Sequence, residues 1–298
     1  MRSTLALPLL LLAAPLLAGC PAAPPPLSQL PSAQAAIDRM RATTACGTGV
    51  QASAKIDHFG KQGRVRGNLD MIVSQPARIR MDVFSFGVSV ATLTSDGKAF
   101  ALADLRDKRF YVGRASACNI ARLTTVPIPG PVLVDLLRGQ APVVKHAADP
   151  SATTIVWSGD GYYTVTIAGT RDTVEEIHVV PRPDDFNKPW AEQRMRVLDV
   201  TVRQQGLVLY HAALDEHATA KTAPPRIDSE GIDPPIPPSG PPCDAELPRT
   251  IHVEVPGLGD DVLFRYEQVV WNPPLMEDLF TQQSQSGMSV TPVTCDED

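Results

Sequence analysis

Five cysteines, six histidines and two Asp-Asp pairs are the side chains of this sequence best suited to chemistry. No two cysteines have Cys-x-x-Cys spacing, which argues against a zinc or dithiol redox site. The histidines, His58, His146, His178, His211, His217 and His252, form no His-x-x-x-His pair. Their densest surroundings are His211, Asp215, Glu216 and His217. On an alternating strand His211 and Asp215 share a face while His217 lies past the strand end, so no metal site is expected there. Gly87-Val88-Ser89-Val90-Ala91 lacks the second glycine of a nucleophile elbow, and neither a phosphate loop nor a dinucleotide fingerprint occurs. Asp184-Asp185 and Asp260-Asp261 sit beside proline or glycine, the setting of solvated loops rather than of general acid–base pairs. The expectation is a protein without catalytic residues, metal or cofactor.

The first of the cysteines carries a different chemistry. Arg2 supplies a positive charge, Leu5 to Leu17 an apolar run, and Leu17-Ala18-Gly19-Cys20 closes it. The run is too short and too proline-broken to span a bilayer, which needs ~20 apolar residues. Leu-Ala-Gly-Cys resembles the lipobox of bacterial lipoproteins, in which the thiol is diacylated. That resemblance implies that residues 1–19 are a signal peptide and that Cys20 anchors the chain in a membrane. Each buried acyl CH₂ is worth ~0.8 kcal/mol, so two or three chains hold firmly where one would not. Pro21 stands where Asp retains enteric lipoproteins at the inner membrane, which implies the outer membrane, facing the periplasm. Pro21, Pro24, Pro25 and Pro26 make residues 20–31 a semi-extended tether.

Cys46, Cys118, Cys243 and Cys295 are then an even number in an oxidising compartment and read as two structural disulfides. Three connectivities are open. Cys46 with Cys118 and Cys243 with Cys295 is favoured, because the first pair flanks the early sheet and the second joins two irregular C-terminal segments.

The elements that position these residues are mostly strands. Ala33, Ala36, Ile37 and Met40 recur at helical spacing within 32–43, and a short amphipathic helix is predicted there. From Gly49 the period changes to two. Val50, Ala52, Ala54 and Ile56 alternate with polar residues, then Val65, Leu69, Met71 and Val73, then Ile79, Met81 and Val83. Gly60, Gly63 and Pro76 supply the turns, and the meander continues through 88–94, Asp96-Gly97, 98–103 and 109–112. Two helices are expected at 116–123 and 131–138, the second opening at Pro131 and stopping at Gly139. Further strands are expected at 153–157, 162–168, 173–180, 193–203, 207–214, 250–255 and 262–271. Residues 221–243 hold eight prolines and read as a surface insertion that interrupts a single domain spanning 32–298. A polar tail finishes the chain.

The 298 residues carry 43% hydrophobic side chains and a formal charge of -6, so a full core can be buried and no basic field is available to collect nucleic acid. About a dozen strands with one apolar face and only a few short helices imply a mainly β fold. Either the sheet closes on itself, or it forms an unclosed antiparallel half-barrel under a helical lid.

The run Phe84-Ser85-Phe86-Gly87 with 88–93, Phe100 to Asp104, Tyr111, and Pro127-Ile128-Pro129 through Leu136-Leu137-Arg138-Gly139 resembles the central part of the LolA/LolB family, and of its lipidated LolB branch most. The resemblance implies a half-barrel whose apolar cavity receives acyl chains of lipoproteins or lipid and passes them to the bilayer, with a soluble LolA-like carrier as a partner. By position, Met71, Ile79, Met81, Val83 and Val90 on the sheet and Ile120, Leu123, Leu133 and Leu137 on the lid are the cavity candidates. The same residues would equally serve as a packed core. Phe84 and Phe86 match the family's membrane-contact loop, Phe86 being the better placed for exposure. A monomer is expected. The alternative is a non-catalytic envelope scaffold that uses the same half-barrel for interaction. The Pro-rich insertion, the four extra cysteines and the longer C-terminus depart from LolB.

Overall fold

The computed structural model describes residues 22–295, apart from 62, 125, 229, 232 and 233. Cys20 and the signal segment lie outside the described residues. Helix α1 (Ala33–Thr43) leads into the meander β1 (Gly49–Gly60), β2 (Gly63–Ser74), β3 (Arg78–Ser85), β4 (Val88–Ser95), β5 (Ala99–Asp104) and β6 (Arg109–Arg114). Helices α2 (Ala117–Thr124) and α3 (Gly130–Leu137) follow. A second meander comprises β7 (Thr153–Trp157), β8 (Tyr163–Ala168), β9 (Thr173–Pro181), β10 (Met195–Gln204) and β11 (Leu207–Asp215). The short pair β12 (Ala218–Thr219) and β13 (Glu246–Leu247) brackets the Pro-rich segment, and β14 (Thr250–Val255), β15 (Asp260–Trp271) and β16 (Ser289–Val293) complete the chain.

All strands except β12 and β13 join one sheet of fourteen in the order β16-β6-β5-β4-β3-β2-β1-β15-β14-β11-β10-β9-β8-β7, whose two edges do not meet. The fold is therefore mainly β, an open half-barrel with its helices on the concave face, as the alternation and the family resemblance imply. β15 is the hinge of this topology, pairing with β1 and so fusing the two meanders. Period-two patterning explains the layering. Val50, Ala52 and Ala54 of β1 are buried, as are their cross-strand partners Val73, Met71 and Leu69 on one side and Trp271, Val269 and Tyr266 on the other.

The helices close the concave face because their apolar sides have nowhere else to go. α1, capped by Ser32 Oγ accepting from Ala35 N–H at 3.1 Å, buries Ala33, Ala36, Ile37 and Met40. α3 opens at Pro131 in its first turn and buries Leu133, Val134, Leu136 and Leu137. Its last turn is fixed from the sheet, where the Tyr266 hydroxyl donates to Leu137 O at 2.9 Å. Gly139 then takes φ +72°, and a Cβ there would lie 2.6 Å from Pro248, so both conformation and space require glycine.

Two expectations are corrected. The disulfides join Cys46 to Cys243 and Cys118 to Cys295, not Cys46 to Cys118 and Cys243 to Cys295. Cys46 precedes β1 at the sheet end where β15 finishes, and the Pro-rich segment returns there, held by Ala223 N–H on Trp271 O and Trp271 N–H on Lys221 O. Cys118 opens α2 beside β6, where Cys295 is delivered because the tail is not irregular throughout. β16 adds to the β6 edge in parallel, unlike the antiparallel strand pairs of the two meanders.

Candidate functional site

The sheet has two unlike ends. One collects the turns β1–β2, β3–β4, β5–β6, β10–β11 and β14–β15, and we call it the open end. The other carries the Cys46–Cys243 disulfide and the 158–162 turn. At the open end the β1–β2 hairpin outruns its neighbour: β2 pairs with β1 along its whole length but with β3 only from Asn68 opposite Phe84 onward. Residues 63–67 thus have no β3 partner. A bulge at the Val83/Phe84 step, with Val90 as the additional residue of β4, re-aims the side chains beside this notch.

A cleft of about 230 Å³ opens here on the concave side, lined mainly by apolar side chains, among them Ile56, Val83, Val90 and Leu123, the last from α2, with His58, Asp104 and Arg106 also on its wall beside Phe84 and Ala91. Gly67 forms part of its wall. A Cβ on Gly67 would lie 3.1 Å from Phe84 O, 3.5 Å from Val83 and 3.8 Å from Ile56, so any larger residue would crowd the cleft wall. Around the mouth Phe59, Val65 and Val88 are more than half exposed and Phe86 is fully exposed. Leu207 and Leu258, from other turns of the same end, extend this apolar rim. Phe86 also holds φ +51° and is followed by Gly87 at φ +77°. Both values suit a two-residue hairpin turn, but that turn favours Asn or Asp where Phe86 stands. Neither burial nor turn propensity accounts for this phenylalanine.

The cavity candidates divide between cleft and core. Val83, Val90 and Leu123 line the cleft. Met71, Ile79, Met81, Ile120, Leu133 and Leu137 are at most 1% exposed and belong to the continuous core beneath the helices. Of the loop candidates, Phe84 is half-buried in the cleft wall and Phe86 projects from the turn. Ile56 and Ala91 were missed as cleft residues. Gly67 inside an otherwise regular strand was the available signal, since an interior glycine marks a bend or a close approach.

The titratable residues fall into three settings. On the convex face His178, His211 and His252 alternate with carboxylates across β9, β10, β11, β14 and β15. His178 Nδ1 lies 2.8 Å from Asp199, His211 lies 3.8 Å from Asp199 and 3.4 Å from Glu254, and His252 lies 3.9 Å from Glu254 and 3.8 Å from Asp261. The nearby Asp199 carboxylate, aided by Glu254, raises the His211 pKa against its partial burial. The group suggested by His211, Asp215, Glu216 and His217 does not assemble. His217 is turned away from this row, and burial lowers its pKa to about 4. Among the described residues no set of three or more His, Cys, Asp or Glu is placed to hold a metal ion.

Asp185, expected in a solvated loop, is instead fully buried. Arg194 donates to it at 2.6 and 2.9 Å and Lys188 at 2.6 Å, and the Arg194 contact holds its carboxyl below the usual range. Glu175 faces the core from β9. Burial raises its pKa to about 7, although Val144 N–H donates to one oxygen at 2.8 Å, and its Oε1 has no hydrogen-bond partner.

No protein-family model and no curated protein matches the sequence. Several solved structures are similar in fold. A DUF1329 family protein from Desulfovibrio piger aligns over 84% of this chain and 95% of its own at 9% identity, with a TM-score of 0.49. A LolA superfamily protein from Nitrosomonas europaea covers 84% of this chain and 98% of its own at 11% identity and a TM-score of 0.46. An outer membrane lipoprotein-sorting protein domain from Vibrio parahaemolyticus covers 83% and 95% at 10% identity and a TM-score of 0.42.

Proposed function

We propose that this is a non-catalytic, lipid-anchored envelope protein of LolB type, which takes an acyl chain of a lipoprotein or lipid into the open-end cleft and passes it to the outer membrane from the periplasmic side. The observation that carries the reading is the apolar cleft beside α2, opening at the rim where Phe86 stands fully exposed in a turn that does not favour it. An apolar groove accepts a flexible chain without directional bonds, and an exposed aromatic is favourable surface only against a bilayer or an apolar partner. The lipobox at Cys20 supplies the anchor.

The tether constrains how delivery can occur. Residues 22–31 dock at the end of the sheet opposite Phe86: Ala23 N–H donates to Gly159 O at 2.8 Å and Trp157 Nε1 to Ala23 O at 2.9 Å. While these bonds hold, Ala23 and the open end lie at opposite ends of the sheet. Released and extended, residues 22–31 reach about 33 Å, enough for the open end to turn toward the bilayer.

The test is native mass spectrometry with organic extraction of the protein purified from a bacterial periplasm. A co-purifying acyl ligand is expected in the wild type and should be lost in Gly67→Leu, whose side chain fills the cleft. A ligand-free mass, with no binding of added palmitate, refutes the reading. The close packing of Met71, Met81 and Leu133 favours the second reading, a solid scaffold, for the part of the molecule under α3.

A further inference from the structure

The notch beside residues 63–67 has a second side. On the convex face a groove of about 550 Å³ is lined by Lys55, Asp57, Arg66, Phe84, Leu263 and Arg265, among others. Ile56, Arg66, Gly67, Phe84 and Ser85 border this groove and the concave cleft alike. The two are therefore halves of one passage around the unpaired edge of β2. Their chemistry differs in proportion: the inner half is walled mainly by aliphatic and aromatic side chains, with His58, Asp104 and Arg106 also on its lining, whereas the outer half sets Lys55, Arg66 and Arg265 against Asp57.

We infer that this passage binds an anionic phospholipid, with its acyl chain in the inner cleft and its phosphate against Lys55, Arg66 and Arg265. The inference rests on the acyl-binding reading above and adds the headgroup. Charge placement carries it. Lys55 and Arg265 are directly opposite each other in the β1–β15 register, a like-charge pairing that a bound anion would stabilise. Glu267 takes Lys55 at 2.5 Å, and Asp57 takes Arg66 at 3.1 Å while also accepting from Arg64. The Arg265 guanidinium has no ion pair or side-chain hydrogen bond among the described residues. It is exposed on a sheet whose chain is net acidic, within an amphipathic groove that has Leu263 and Phe84 for the glycerol end of a lipid. A phosphate there gains charge-assisted bonds to a planar donor fork and leaves the apolar wall to the chain.

The test uses the full chain carrying Cys20→Ser, so that no attached acyl group competes, titrated below micelle formation with palmitoyl-lysophosphatidylglycerol and palmitoyl-lysophosphatidylcholine. The wild type should prefer the anionic lipid by at least about fivefold, the effect of roughly one cation near an anionic surface. Arg265→Glu should erase that preference by weakening the anionic lipid more than the choline lipid, whose phosphate meets the same cations but is offset by its own choline, with the melting temperature unchanged, and Arg265→Lys should keep most of it. Equal affinities for the two lipids, both abolished by Gly67→Leu, would overturn the headgroup site and leave the acyl cleft standing. A preference that survives Arg265→Glu would place the phosphate elsewhere and overturn the inference. Binding of neither lipid would remove the acyl reading and the headgroup site together.

Discussion

Phe86 shows at the scale of one residue how stability and function pull apart. A non-glycine residue in the left-handed region costs about 1 kcal/mol, and asparagine tolerates it far better. Phe86→Asn should therefore raise the melting temperature slightly while weakening binding to lipid vesicles. Phe86→Glu should leave folding intact and weaken vesicle binding further; unchanged binding in both would remove the residue from the proposed contact. Glu175 makes a different prediction. Its folded pKa of about 7 lies above the ordinary 4.5, so between those values the folded protein keeps a proton that the unfolded chain has released. Stability then falls as pH rises through this window, by about 3 kcal/mol in all. Glu175→Gln should gain stability relative to wild type at pH 8 but not at pH 5, as read by paired thermal melts. A difference independent of pH would contradict the buried-carboxyl account. Period two puts Glu175 on the same face as Ile177 and Val179, but its depth of burial follows from its pairing with Val202 and Ile167, both buried, which the local pattern does not contain.

At the scale of elements, β16 covers what would otherwise be the free edge of β6, and the Cys118–Cys295 disulfide fastens it there. An uncovered edge pairs with other chains. The double substitution Cys118→Ala with Cys295→Ala should lower stability by about 2–5 kcal/mol and make the protein concentration-dependent in sedimentation, whereas a monodisperse, equally stable variant would show that β16 holds without its covalent tie. The histidine–carboxylate row on the convex face belongs to this scale too, since it exists only because five strands lie side by side. His211 has a raised folded pKa, so its stabilising effect is fully present below its ordinary value near 6.5 and is lost as pH rises through the folded value. His211→Gln should thus cost more stability at pH 5.5 than at pH 8.5; the reverse order would contradict the assigned contacts. In the sequence these residues are spread between positions 178 and 261, and only the strand registers align them.

The whole molecule adds the question of orientation. Ala22 and Gly159 approach closely, a Cβ on Gly159 lying 3.3 Å from that of Ala22, so Ala22→Cys with Gly159→Cys should form a disulfide that holds the tether in its docked state. If delivery needs the tether released, the oxidised variant should retain acyl binding and lose transfer to vesicles, with transfer restored by mild reductant; full transfer in the oxidised state would show that the docked orientation already delivers. What the sequence determined by itself was the local order: the strand and helix boundaries, the alternation that assigns each residue to a face, and the glycine stops. These are properties of short windows, and period two or 3.6 together with turn chemistry encodes them. The tertiary structure alone decided that β15 joins the two meanders, that the tail becomes an edge strand, which cysteines pair, and that the space near the lid is packed beneath α3 and open beside α2. Each of those depends on residues far apart in the chain meeting across the sheet, and the free energy of such contacts belongs to the assembled packing rather than to any segment.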